Sequence, residues 1–185
     1  EQLKKFPSIA AVYVTGALAM NNCPADDDID LMIVTYPNCL WPTRFFVNLF
    51  LNSFRRHPGD KTAPDKICPN LWLDANHLPI PHDHSLYTAH EILQAKPLFD
   101  KSSVSISFLK SNSWVQKYLP VAYKNLTLGP SPKFRRGKPQ QGEVFWKFIN
   151  SIFFIIQYLY MKPKMTSEKV SLGFAFFHPS ANIHN

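Results

Sequence analysis

Cysteine is scarce and unpatterned in this 185-residue chain. There are three, Cys23, Cys39 and Cys68. The count is odd, no pair has a zinc-ligand spacing, and none falls in a Cys-x-x-Cys motif. This argues against a disulfide framework and predicts reduced thiols in a cytoplasmic protein. Long hydrophobic runs are missing too. The most apolar stretch, Glu143 to Met161, is uncharged only over the fourteen residues from Phe148 to Met161, and a bilayer needs roughly 20. Lys147, Asn150, Ser151 and Gln157 scatter around it, so the expectation is a buried helix, or one face of a homodimer or partner contact. A membrane anchor is the minority reading. There is no internal repeat. Glu1 to Phe6 is polar and charged, which predicts no signal peptide. A first residue other than Met predicts that the sequence begins inside a longer protein.

The chain does have enough apolar material for a core: 45% hydrophobic and 14% aromatic. That excludes a disordered chain and fits one domain, or a compact core with a helical appendage. The formal charge is +7 and the pI about 9.3. This balance suits a nucleotide, a nucleic acid or an acidic membrane surface without choosing among them, and most of the charge reads as solvated surface.

The stretch from Val12 to Thr35 says most about chemistry. Ile9 to Val14 is a short apolar run ended at Gly16 and reads as a buried strand. A short helix over Ala17 to Asn22 and a turn at Pro24 follow. Ile29 to Thr35 reads as a second strand, opened by Asp28 and Asp30. Strand side chains alternate, so these two carboxylates point the same way. A divalent cation between them would offset their repulsion, and magnesium takes such hard oxygen ligands together with substrate phosphates. Gly16 lets the backbone approach a ligand, and the helix start after it offers free N–H groups to an anion. Asp26 and Asp27 read as a solvated acidic turn.

Val14-Thr15-Gly16-Ala17, ten residues, then Asp28-Ile29-Asp30-Leu31 resembles the DNA polymerase beta-like nucleotidyltransferase superfamily, and within it the small bacterial and archaeal nucleotidyltransferase-domain proteins. The family usually has Gly-Ser or Gly-Gly where this chain has Gly16-Ala17. The likeness covers about Ile9 to Asp100. It implies an α/β (α+β) fold, a small mixed sheet with flanking helices. A core over residues 1–110 would be followed by a helical C-terminal part over 111–185. It also implies a metal-dependent transfer of a nucleoside monophosphate from a nucleoside triphosphate such as ATP to an acceptor hydroxyl, with pyrophosphate released.

The resemblance assigns roles as well. Asp28, Asp30 and a third carboxylate on a later strand would hold two Mg2+ ions, or Mn2+. Asp74 is the choice for the third, with Asp65 the runner-up and a simple turn cap the plain alternative for Asp74. Gly16 and Ala17 would cradle the β and γ phosphates. Arg44, Lys61 and Lys66 are the candidates to neutralise pyrophosphate. The acceptor, whether small molecule, RNA or protein, is open. Two other functions stay open: a non-catalytic nucleotide- or partner-binding module of the same fold, antitoxin-like, and a membrane-associated protein.

The rest of the chain reads mostly as scaffold. Trp41 to Arg56 has apolar positions at helical spacing, with Pro42 in the first turn, and predicts a helix packed on a sheet. Leu71 to Leu73 reads as a strand ended by Asp74, and Pro69 argues against a central strand starting before it. Tyr87 to Gln94 predicts a helix. Ala95 to Asp100 predicts a strand confined to an edge by Pro97, and Ser113 to Leu119 a helix. His82, His84 and His90 lack zinc-motif spacing, so no zinc site is expected. Leu128 to Gly142 combines proline, glycine and basic residues with no acid and reads as a basic loop or linker.

Overall fold

All six residues of Ile9–Val14 (β1) are buried. A strand that apolar needs cover on both faces of its sheet, and it has it. The computed structural model describes residues 1–57, 60, 64–81, 84–128 and 142–177. The helices are α1 (Gly16–Ala19), α2 (Leu40–Phe50), α3 (Leu86–Gln94), α4 (Val104–Ser111), α5 (Pro120–Thr127) and α6 (Glu143–Met161). The other strands are β2 (Ile29–Thr35), β3 (Ile67–Asp74), β4 (Lys96–Asp100), β5 (Lys169–Val170) and β6 (Phe174–Phe176). They form one six-stranded mixed sheet in the order β4-β1-β2-β3-β6-β5. Only β2 and β3 run parallel, joined through α2; every other neighbouring pair is antiparallel. The fold is therefore α+β, as expected.

Period-two alternation sorts the side chains into two cores. On one face Ile9, Val14, Leu31, Ile33 and Trp72 pack against Leu40, Trp41 and Val47 of α2, with Phe153 and Phe154 of α6 beside them. On the other, Tyr13, Met32, Val34 and Leu73 meet Ala89 and Ile92 of α3 and Val104 and Phe108 of α4. Tyr13 also reaches Ser105 by a hydroxyl hydrogen bond of 2.9 Å.

Several elements differ from the sequence reading. The α2 helix stops at Phe50 instead of running to Arg56, because Phe54 and Arg55 turn back on Leu51 and Arg55 then bridges to Ile67. Strand β3 begins at Ile67 despite Pro69. The register against β2 shifts between Asp30 and Met32, opposite Cys68 and Leu71, and on its other side β3 is paired with β6 only over Leu71–Leu73. Pro69 thus lies where the missing N–H costs little. Pro97 sits in the edge strand β4, as its chemistry requires. Ser113–Lys117 is a 3-10 turn, and α4 is an addition to the expected elements. The segment expected to be a helical C-terminal part also supplies β5 and β6, which extend the same sheet. The basic loop lies outside the described residues, apart from its ends Leu128 and Gly142.

Candidate functional site

The start of β2 is held on three sides. Ahead of it, Thr15 donates its N–H to the Asp30 carbonyl at 3.0 Å, so the turn into α1 rests on the strand. Gly16 has φ +62, in the left-handed region, and a Cβ built there would overlap the Asp30 carboxylate. Glycine at this position allows both the backbone and the contact. On the neighbouring strand, Ile29 pairs with Ile67 and Asp30 with Cys68. Asn70 donates from Nδ2 to Asp30 Oδ1 at 2.7 Å. Asp28 is buried, and Arg56 Nη1 lies 3.1 Å from its Oδ2.

Asp28, Asp30 and Cys68 present ligand atoms all within 4.8 Å of one another. Burial, the charges of Asp28 and Asp30 and a hydrogen bond to Asp28 push the Cys68 thiol up, so it stays protonated at neutral pH. The hydrogen bond to Asp28 holds the Arg56 guanidinium above its ordinary value. From α3, Tyr87 approaches the same place: burial, the charge and hydrogen bond of Glu91, and the charge of Asp30 raise its phenol. The arrangement is two adjacent carboxylates, one cation, one amide and one neutral thiol, facing a glycine turn. Hard oxygen donors of this kind suit a magnesium or manganese ion.

Asp28, Asp30, Gly16 and Ala17 come together here. Asp74 does not. Thr35, not Asp30, is its partner in the register, five residues and roughly 17 Å further along β2 at the usual strand rise. There Asp74 caps a turn, accepting from Asn38 N–H at 2.6 Å and Asn76 N–H at 2.8 Å. The expectation that it completes the pair is corrected by the parallel register of β2 and β3, which puts the C-terminal end of β3 at the far end of the sheet. Asp65 is an exposed turn residue with φ 59 ahead of β3.

The cation candidates also resolve. Arg44 donates to Gln157 Oε1 at 2.6 Å and lies 4.3 Å from the Phe177 ring, and burial pushes its guanidinium down. Lys66 is paired with Asp60 at 3.1 Å. Lys61 lies outside the described residues. Among the described residues, Arg56 is the cation on the pair. Its path depends on the backbone bond from Arg56 N–H to the Ile67 carbonyl, 3.0 Å, and nothing in local sequence announces that. His82 is also outside the described residues, while His84 stacks on Trp114 with ring centroids 4.1 Å apart.

No protein-family model, no curated protein and no solved structure matches this chain.

Proposed function

We propose that the chain is a metal-dependent nucleotidyltransferase, moving a nucleoside monophosphate from a nucleoside triphosphate to an acceptor hydroxyl and releasing pyrophosphate. The observation that carries the reading is the contact of the Gly16 turn with the Asp30 carboxylate. A phosphate approaching the bare backbone of that turn meets the residues suited to hold its metal. Asp28 and Asp30 hold one Mg2+ or Mn2+; a second ion needs oxygen ligands from substrate or acceptor. The bound ion supplies charge neutralisation at the transferred phosphoryl group. Asn70 orients Asp30, Gly16 and Ala17 would offer backbone N–H groups to the phosphates, and Arg56, 3.1 Å from Asp28, would supply the cation for the leaving pyrophosphate. Three free cysteines agree with a reducing, cytoplasmic setting. The acceptor is a hydroxyl on a small molecule, an RNA or a protein.

A second reading is favoured by one observation. The β3 residues beside Asp30 are Cys68 and Asn70, an uncharged thiol and an amide, where a third carboxylate is wanted. A nucleotide- or partner-binding module that no longer turns over would have this composition.

The test is binding of each of the four NTPs with magnesium, in wild type and in the Asp28→Ala, Asp30→Ala double variant, with pyrophosphate scored in the same samples. Magnesium-dependent binding that disappears in the double variant, with pyrophosphate released by wild type, is the expected result. Binding without pyrophosphate selects the second reading. Equal binding in both proteins, or none in either, rejects a nucleotide site at Asp28 and Asp30 under either reading.

A further inference from the structure

Helices α2 and α6 each bury one face and leave the other in solvent. The rotation of α6 is set by polar contacts. Asn150 Oδ1 accepts from the Trp41 N–H at 2.9 Å, and Gln157 Nε2 donates to the Trp41 carbonyl at 2.8 Å. With Asn150, Phe154 and Gln157 turned inward, Phe145, Phe148, Ile155, Ile156 and Leu159 are each more than half exposed. On α2, Phe46 and Leu49 are too. The Phe45 and Phe46 rings meet Phe153 of α6 at 5.4 and 6.1 Å, so the two stripes make one apolar surface. A contiguous apolar face of this kind marks an interaction site.

The charge pattern says what covers it. Along Glu143–Lys164 the charged residues are Glu143, Lys147, Lys162 and Lys164, and the first two are paired at 2.8 Å, which leaves the net positive charge at the C-terminal end of the helix. Lys162 and Lys164 are exposed at the end of α6, their ammonium groups 5.9 Å from the Tyr158 ring and 4.3 Å from the Tyr160 ring. Lysines and tyrosines bordering an apolar helix face are the composition of helices that lie in the headgroup region of a bilayer. A nucleic acid matches the charge but leaves the aliphatic stripe in water. A second copy covers the stripe but leaves the lysines and tyrosines at its border without a charged partner. By length and composition Glu143–Lys164, with mean hydropathy 1.3, is apolar enough to cross a membrane. Crossing would strip Asn150 and Gln157 from Trp41, whereas lying flat keeps both.

We infer that the joint face of α2 and α6 docks on the surface of an anionic lipid bilayer. Asp30 shares its strand face with Met32 and Val34, the face covered by α3 and α4. Docking through α2 and α6 therefore uses the opposite side of the sheet and leaves the Asp28–Asp30 pair open to a soluble ligand.

The experiment is flotation of the full chain with vesicles of phosphatidylcholine alone and of phosphatidylcholine with phosphatidylserine in equal parts, at physiological ionic strength. Wild type should float with the mixed vesicles only and be released by high salt. Phe148→Gln with Ile155→Gln and Leu159→Gln should abolish flotation with an unchanged circular dichroism spectrum. If that variant does not fold, Lys162→Gln with Lys164→Gln decides, with partition expected to fall roughly thirtyfold. Three results overturn the inference: no flotation of wild type, flotation unaffected by the variant that folds, or resistance to alkaline carbonate extraction, which marks a spanning helix. A wild-type dimer in sedimentation that dissociates in the glutamine variant, without flotation, overturns it in favour of a second copy.

Discussion

Asn70 donates its side-chain amide to the Asp30 carboxylate at 2.7 Å, from β3 across to the start of β2. Asn70→Asp removes a donor and adds a like charge to Asp28 and Asp30. Without divalent cation the variant should be less stable by about 1–3 kcal/mol. With manganese or magnesium the loss should reverse, because a third carboxylate raises affinity for the ion. Thermal melts in chelator and in metal measure both halves. A variant indifferent to metal would remove the cation from the site.

Gly16→Ala meets two separate penalties. A left-handed backbone costs a Cβ-bearing residue about 1–2 kcal/mol, and the new methyl overlaps the Asp30 carboxylate. In an Asp30→Ala background the carboxylate overlap is gone and only the Asp30 Cβ, 3.3 Å away, remains. Denaturant titration of the double-mutant cycle should show coupling of about 1 kcal/mol or more. Additivity would mean that the turn does not rest on Asp30.

The pattern of charges explains what local sequence conveyed here and what it left hidden. Alternation along Asp28-Ile29-Asp30-Leu31 is a property of one strand, so β2 and its carboxylate pair were legible, as were the burial of β1 and the edge position of Pro97. Partners across strands depend on register. The shift between Asp30 and Met32 opposite Cys68 and Leu71 brings Asn70 onto Asp30. The parallel direction of β3 carries Asp74 away. Neither follows from the spacing of aspartates. Arg56 was hidden for the same reason: it reaches Asp28 only because the chain after α2 bridges to Ile67. The helix over Glu143 to Met161 was legible, but its burial was not. Asn150 and Gln157 are its buried residues, and many of its large apolar side chains face out. The polar pair grips Trp41, which reverses the usual sidedness.

Arg56→Ala leaves Asp28 buried without its counter-cation. A fully buried pair broken this way loses several kcal/mol, but the Arg56 side chain is 45% exposed, so the expected cost is about 1–2 kcal/mol. Magnesium should restore most of it by taking the place of the guanidinium, and should leave Asp28→Asn unaffected. Chemical denaturation with and without magnesium reads both. A loss that magnesium does not repair would place the ion elsewhere.

Burial pushes the Asp74 carboxyl above the usual carboxylate range, against the opposing backbone hydrogen bonds from Asn76 and Asn38. For a group whose folded pKa is raised, the stability contribution is complete below the unfolded pKa and is lost as pH rises through the folded value. Asp74→Asn removes that titration, at a constant cost for one lost acceptor. Wild type should therefore lose stability relative to the variant between about pH 4 and pH 7. Magnesium-dependent nucleotide binding should not change, because Asp74 lies at the other end of the strand. Denaturation at both pH values, with binding measured at the higher, decides. A relative change of the opposite sign would show an Asp74 stabilised as the anion, and loss of binding would return it to the site.

Trp41 lies in the first turn of α2, where a backbone N–H has no partner within the helix. Asn150 supplies it from α6, and its Nδ2 donates in turn to the Leu172 carbonyl at 3.3 Å. Asn150→Ala leaves the buried Trp41 N–H unsatisfied and should cost about 1–3 kcal/mol. Gln157→Ala should cost less at Trp41, because a carbonyl in the first turn already accepts from its own helix, but it also removes the 2.6 Å acceptor of the buried Arg44 guanidinium, so the comparison is made in an Arg44→Met background. If α6 were held mainly by Phe153 and Phe154, the two variants would be nearly equal and small, since neither touches that packing. The Asn150 variant should also speed amide exchange through α6 more than through β1, because the clasp it removes is local to the α2–α6 contact. Uniform acceleration across the sheet would instead mean that α6 and the strands unfold as one unit.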